Sequence, residues 1–201
     1  MGFRSEPRSG DMQRILIVGL GNPGKRYART RHNVGTDAIE VLAKRLNVSL
    51  KVGRDRAQIA EARMGNQGVV LVVPTTYMNE SGEAVGPLAR RYKVTNPAHI
   101  IIVQDELDLE PGVVRIKIGG GLAGHNGLKS VSQHLKTDDY VRVRIGVGKP
   151  SSKEHGADHV LSSIPAAERK ILDVAIEVAV DAIERIVAAD AQTAMQEFNG
   201  R

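Results

Sequence analysis

The chain has 201 residues, with 28 Lys plus Arg against 23 Asp plus Glu, a formal net charge of +5, and no cysteine. Its length suits one domain, and 41% apolar with 25% charged residues is the make-up of a globular protein, not of a disordered or collagen-like chain. The missing cysteines exclude disulfides, thiolate nucleophiles, iron–sulfur clusters and Cys-based zinc sites.

In chain order, the opening MGFRSEPRSGDMQ has no apolar stretch of the secretory kind, and Glu6 stands where an acylation signal needs Ser or Thr. Residues 1–13 are expected to be a disordered or tag-like tail ahead of one domain over 14–201. Apolar, β-branched runs of strand length follow at 14–20, 69–73 and 99–104, each closed by Gly, Pro or Asp. Further strands are predicted at 57–63, 113–118 and 140–147. Helical periodicity predicts helices over 36–46, 81–93, 126–135 and 166–189, the last with Ile171, Val174, Val178, Ala182 and Ile186 along its buried stripe. The alternation implies a single three-layer α/β/α domain of phosphorylase/hydrolase-like type, with a mixed, mainly parallel sheet. Residues 148–165 form the longest irregular connection, the kind of segment that tends to be functional. No apolar run approaches the ~20 residues of a membrane-spanning helix, so a cytoplasmic location without membrane partners is expected.

Charge is unevenly spread. Residues 165–201 carry four basic and seven acidic side chains, a net of −3, which leaves +8 on residues 1–164. That excess points to a polyanionic partner, while 3% aromatics are too few for a long base-stacking platform. Lys25, Arg26, Arg29 and Arg31 fall within seven residues that lack an acid and are read as phosphate contacts. The pairs Arg115/Lys117 and Arg142/Arg144 alternate along predicted strands, each pair on one face, opposite the apolar Val141, Val143 and Ile145.

The glycines of LIVGLGNPG (16–24) match a dinucleotide fingerprint, Gly19-x-Gly21-x-x-Gly24. The following KRYARTRHNVG is cationic and non-helical, and Glu40, at the ribose-binding distance, falls inside a predicted helix, so no dinucleotide is expected. The loop does offer Asn22 at a strand's carboxyl edge. His32 follows shortly after, and Asp105 ends a separate buried strand at the same edge, where open α/β sheets bind ligands. A carboxylate that takes a proton from one imidazole nitrogen leaves the other as a base. PTTYMNESG (74–82) leaves its strand at that edge too, with Tyr77 and Met78 as pocket wall and Asn79 and Ser81 as helix caps. GGGLAGHNGLKS (119–130) is a glycine-rich segment leading to His125 and Asn126, read either as a helix cap or as a gate whose Asn donates to a substrate carbonyl. A Walker loop and a Gly-x-Ser-x-Gly elbow are absent, and in His155-x-x-x-His159 Gly156 replaces the glutamate of a zinc protease. With neither a covalent nucleophile nor a metal constellation, a water activated by His32 is the economical mechanism.

LIVGLGNPGKRYARTRHNVG, PTTYMNESG, QDELDLEPG, GGGLAGHNGLKS and VRVRIGVGKP occur in the order and spacing of bacterial-type peptidyl-tRNA hydrolases, which the chain resembles over about 14–190. The resemblance implies a monomeric α/β enzyme that needs no cofactor. It would cleave the ester joining a peptide to the 3′ ribose of tRNA, and bind the acceptor stem and 3′ end as well as the peptide. It also implies that His32 is the general base, that Asp105 holds it, and that Asn22 distinguishes blocked from free aminoacyl-tRNA. Tyr27, Tyr77, Met78, Asn79 and Asn126 match substrate-contacting positions; Arg115, Lys117, Arg144 and Lys153 match tRNA-phosphate positions. Gln104 departs from the family's frequent His. The alternative is a catalytically silent RNA-binding protein on the same fold.

Overall fold

The computed structural model describes residues 13–150, 152 and 155–200; residues 1–12 of the expected tail, and Lys153, lie outside them. Gln13, the last residue of that tail, is tied down by hydrogen bonds to the Lys93 carbonyl (3.0 Å) and the Thr95 hydroxyl (3.1 Å). Among the described residues the strands are β1 (Ile15–Gly19), β2 (Lys51–Val52), β3 (Ala57–Met64), β4 (Gln67–Pro74), β5 (Ile100–Glu106), β6 (Val114–Ile118) and β7 (Val141–Gly146). The helices are α1 (Val34–Arg45), α2 (Gly82–Arg91), α3 (Asn126–Leu135), α4 (Gly156–Leu161), α5 (Ala166–Ala188) and α6 (Ala191–Phe198).

One sheet runs in the order β2-β3-β4-β1-β5-β7-β6. β4, β1, β5 and β7 pair in parallel, while β2, β3 and β6 join antiparallel at the flanks. The expected α/β/α domain is therefore present, with its parallel strands central, where both faces are covered and near-continuous Val and Ile are favoured. One face packs Ile17, Leu71, Ile101 and Val143 against α1, α5 and α6; the other packs Leu16, Val70 and Ile102 against α2 and α3.

α1 lies very close to β1. A Cβ on Gly19 would stand 2.2 Å from the Gly35 carbonyl oxygen, and one on Gly35 would stand 2.3 Å from that of Val103. Gly19 thus serves helix–strand approach. After Gly24 the chain makes turns and a short 3-10 segment, and α1 begins only at Val34, so the fingerprint glycines do not themselves open a helix.

The predicted stripe on α5 holds at Val178, Ala182 and Ile186, which pack on the core, and is corrected at its first two residues. Leu172, Ile176, Ala179, Ile183 and Ile186 face the core, whereas Ile171 is 49% and Val174 65% exposed. The helix is apolar over more than one face, and the two stripes differ by a one-residue rotation of about 100°. β2, α4 and α6 were not predicted, being short. α6 nevertheless matters: the Asn199 side chain just beyond it accepts from the Ile116 backbone N–H and donates to the Ile116 carbonyl, both at 2.8 Å, along the outer edge of β6.

Candidate active site

The carboxyl ends of β1, β4 and β5 converge with the loop before α3 and with α4 around a cavity of about 410 Å³. Its lining includes Asn22, His32, Met78, Asn79, Asp105 and Asn126, joined by His125, Leu107, Val160 and Leu161. Six sequence-predicted site residues are thus brought together from five separate segments. Tyr27 and Tyr77 are not among the lining residues; they pack edge to face at 6.5 Å, with Tyr77 56% exposed. Val160 and Leu161 belong to α4, inside the long 148–165 connection, and length alone had marked that segment.

His32 Nδ1 lies 2.8 Å from Asp105 Oδ1, the expected pairing. The same oxygen is approached at 2.9 Å by Nε2 of His125. Asp105 is buried, and burial by itself pushes its pKa up. Attraction to His32 and then to His125, with the hydrogen bonds both rings donate, outweighs this and holds the carboxyl well below the ordinary carboxylate range. An ionised carboxylate only accepts, so both rings carry a proton on the nitrogen facing it. In a neutral His32 ring this leaves Nε2 as the nitrogen with the lone pair. His125 caps α3: its Nδ1 accepts from the N–H groups of Gly127 (3.2 Å) and Leu128 (3.4 Å), fixing it as the neutral Nε2–H tautomer. The cap is His125, not Asn126, which lines the cavity instead.

The ligating atoms of His32, Asp105 and His125 lie within 4.8 Å of one another, near enough to raise the question of a metal. In His125 the cap contacts of Nδ1 put the proton on Nε2, which suits that nitrogen to a hydrogen bond with the carboxylate. His155 and His159 bond Ser152 and the Val147 carbonyl, respectively.

Asn22 is built in from both sides. Its backbone N–H donates to Asn33 Oδ1 and its carbonyl accepts from Asn33 Nδ2, both at 2.9 Å. Its side-chain Oδ1 accepts the Met78 N–H at 2.8 Å, so the amide NH₂ is the group it can present to a ligand. Neither Asn79 nor Ser81 caps α2 by its side chain; Ser81 donates to the Met78 carbonyl at 2.7 Å.

Register places Arg115 opposite Arg144, Lys117 opposite Arg142 and Gln104 opposite Arg144, all on one face of β5, β7 and β6. Buried Glu106 of β5 joins this face and accepts from Arg144 Nε at 3.0 Å. Arg142 is also not a surface cation: its exposure is 1%. Gln104 is buried on the same face, opposite to Asp105's, which is why it leaves the His32–Asp105 pair intact. Arg31, expected to meet phosphate, is buried too, and both ends of its guanidinium reach Glu168 at 2.7 Å. Lys25, Arg26 and Arg29 remain exposed. On the surface of α5, Glu177, Asp181 and Glu184 ring Arg45.

Residues 16–201 match the family model described as peptidyl-tRNA hydrolase. The chain is 48% identical over 175 residues to a peptidyl-tRNA hydrolase of Mycolicibacterium vanbaalenii, covering 87% of this chain and 91% of that protein. It is 45% identical over 195 residues to that of Cutibacterium acnes, covering 92% and 97%. Among solved structures it resembles the peptidyl-tRNA hydrolase of Acinetobacter baumannii, with a TM-score of 0.88 and 40% identity over 94% of this chain and 95% of that one.

Proposed function

The chain belongs to the peptidyl-tRNA hydrolase family, and from that premise we propose that it cleaves the peptide–ribose ester with water activated by His32. The family's activity is hydrolysis of peptidyl-tRNA, and this is the chain's activity. The observation that carries the assignment of roles is the 2.8 Å contact of His32 Nδ1 with ionised Asp105. It holds the ring with Nε2 as acceptor, beside a cavity sized for part of a peptide. In this mechanism Nε2 takes a proton from water as the oxygen attacks the ester carbonyl. The amide NH₂ groups of Asn22 and Asn126 stabilise the developing oxyanion, and the proton then passes to the departing 3′ oxygen of the ribose.

Asn79 and Asn126 grip the peptide backbone, and Met78, Leu107 and Leu161 accommodate side chains by shape. That suits a substrate whose peptide varies. Tyr27 and Tyr77 extend the site outside the cavity. Arg115, Lys117 and Arg144 bind phosphates of the acceptor stem, with recognition by shape and charge and not by sequence. Lys153 is assigned to the same surface on its sequence position alone. In this reading the protein acts as a cytoplasmic monomer, with the basic face open to tRNA; no described helix is long and apolar enough to cross a membrane. Residues 14–201 are one catalytic domain and 1–13 an appended tail.

The test is release of tRNA from N-acetyl-aminoacyl-tRNA, beside unblocked aminoacyl-tRNA, with and without EDTA. Rapid, EDTA-resistant cleavage of only the blocked substrate is expected. Binding of tRNA without cleavage would instead favour the silent RNA-binding alternative, against which the assembled His32–Asp105 pair and Asn22 speak. A second measurement addresses the phosphate face. Arg144→Ala raises KM severalfold and reduces the slope of log affinity against log salt by roughly 0.7–0.9, the loss of one phosphate contact. An unchanged slope in a salt titration would remove Arg144 from that role.

A further inference from the structure

The loop that delivers His125 and Asn126 to the cavity is nearly all glycine at its start, and glycine-rich backbone does not hold one conformation by itself. Something else must fix it. Gly119 and Gly120 adopt left-handed conformations, with φ of +61° and +81°, and this turns successive carbonyl groups toward the sheet. All of them meet Arg142. Its Nη2 donates to the Gly119 carbonyl and, at 3.1 Å, to that of Gly120, and its Nη1 donates to that of Gly121 at 3.0 Å. No carboxylate pairs with this guanidinium among the described residues, and its Nε has no partner.

A buried cation without a counter-ion is costly. An apolar side chain would fill the same space at lower cost, but it could not gather three carbonyls. The loop runs on from Gly121 through Ala123 and Gly124, which line the cavity, to His125, whose Nε2–H reaches Asp105. The neighbouring cations on this face, Lys117 and Arg144, are less buried and are turned to other uses, Arg144 through Glu106.

We propose that Arg142 is a positioning residue for hydrolysis: by pinning the carbonyls of Gly119, Gly120 and Gly121 it sets where His125 and Asn126 stand against Asp105 and the ester. Its place on the phosphate-binding face is incidental, and it grips no tRNA. Arg142 acts on the chemical step through the loop. The proposal rests on the reading of His32 and Asp105 given above, and the wild-type protein tests that reading separately, since failure there is absence of cleavage altogether.

The experiment compares wild type, Arg142→Met, Arg142→Lys and Gly120→Ala. Three quantities are read: kcat and KM on N-acetyl-aminoacyl-tRNA, binding of deacylated tRNA across a salt titration, and amide hydrogen exchange. Arg142→Met is expected to lower kcat roughly ten- to a hundredfold, the scale of a misplaced catalytic group. KM, tRNA affinity and salt slope should stay within twofold, and exchange should accelerate at 119–125 alone. Arg142→Lys, which restores donors to the carbonyls, should recover part of the loss. Gly120→Ala disturbs the same contact from the loop side, at a left-handed φ and against Lys117 Cε at 3.0 Å. It should reproduce the fall in kcat with Arg142 intact, even if Arg142→Met fails to fold. A reduced salt slope with raised KM in Arg142→Met would make Arg142 a phosphate contact and overturn the proposal. So would an unchanged kcat in Gly120→Ala with faster exchange in the loop.

Discussion

Replacing His32 by alanine lowers kcat on N-acetyl-aminoacyl-tRNA by roughly a thousandfold, within the 10²–10⁴ attributed to a positioned general base, and leaves tRNA binding unchanged. The loss corresponds to about 4 kcal/mol of transition-state stabilisation. Two structural facts confine it to the chemical step. The ring is held from behind by Asp105, so its removal takes away a nitrogen at the cavity, and the cations assigned to phosphate stand on separate strands, β6 and β7. Single-turnover release of tRNA, measured beside equilibrium binding, checks both halves. Hydrolysis at the wild-type rate would sink the mechanism; a parallel collapse in binding would mean that the ring holds the fold or the substrate.

The second large effect is expected for Asp105→Asn, which keeps the shape and removes the charge. An amide can still accept the N–H of His32, but it no longer stabilises the imidazolium that forms as water loses its proton. If the amide rotates, its NH₂ faces Nδ1 and forces the proton onto Nε2, where the base is needed. The expected fall in kcat is roughly 10²–10⁴-fold, with KM nearly constant, and an unaltered kcat would release Asp105 from its role. The pH dependence has a definite sign. The carboxyl is held below its ordinary range in the folded protein, whereas in the unfolded chain it titrates near ~3.9. Ionised Asp105 therefore contributes stability at every pH above about 4, and that contribution drains away as pH falls further. In thermal melts, the margin of wild type over Asp105→Asn should be constant from neutral pH to about 5 and shrink below 4.

Much of the catalytic half of the site was legible. Near-continuous Val and Ile runs announced β1, β4 and β5, and parallel central strands bring their carboxyl ends to one edge, so Asn22, Asp105 and the 74–82 loop had to meet there. Position along the chain sufficed for these residues. Charge was read less well, because a sequence shows that a side chain is cationic but not that it is buried. Arg31 finds Glu168 on α5, 137 positions away, and Arg142 finds backbone carbonyls, which leave no signature in composition. His125 was hidden for another reason. Histidine is not among the favoured N-cap residues, so nothing local marked it as the residue that both ends α3's loop and reaches Asp105. The stripe on α5 was misplaced at Ile171 and Val174 because apolar side chains fall on several faces of that helix.

The Asn199 side chain that borders β6 has a consequence for the molecule's company. Sheet rims with unpaired backbone groups recruit foreign strands, and Ile116 would offer such a rim midway between Arg115 and Lys117. The Asn199 amide mimics a neighbouring strand there, taking the Ile116 N–H and returning one to its carbonyl. The residue just beyond α6 thus acts as a stopper that keeps β6 from pairing with a foreign strand. Proteolytic trimming past Asn199 would be felt first as clumping, before any slowing of the chemistry.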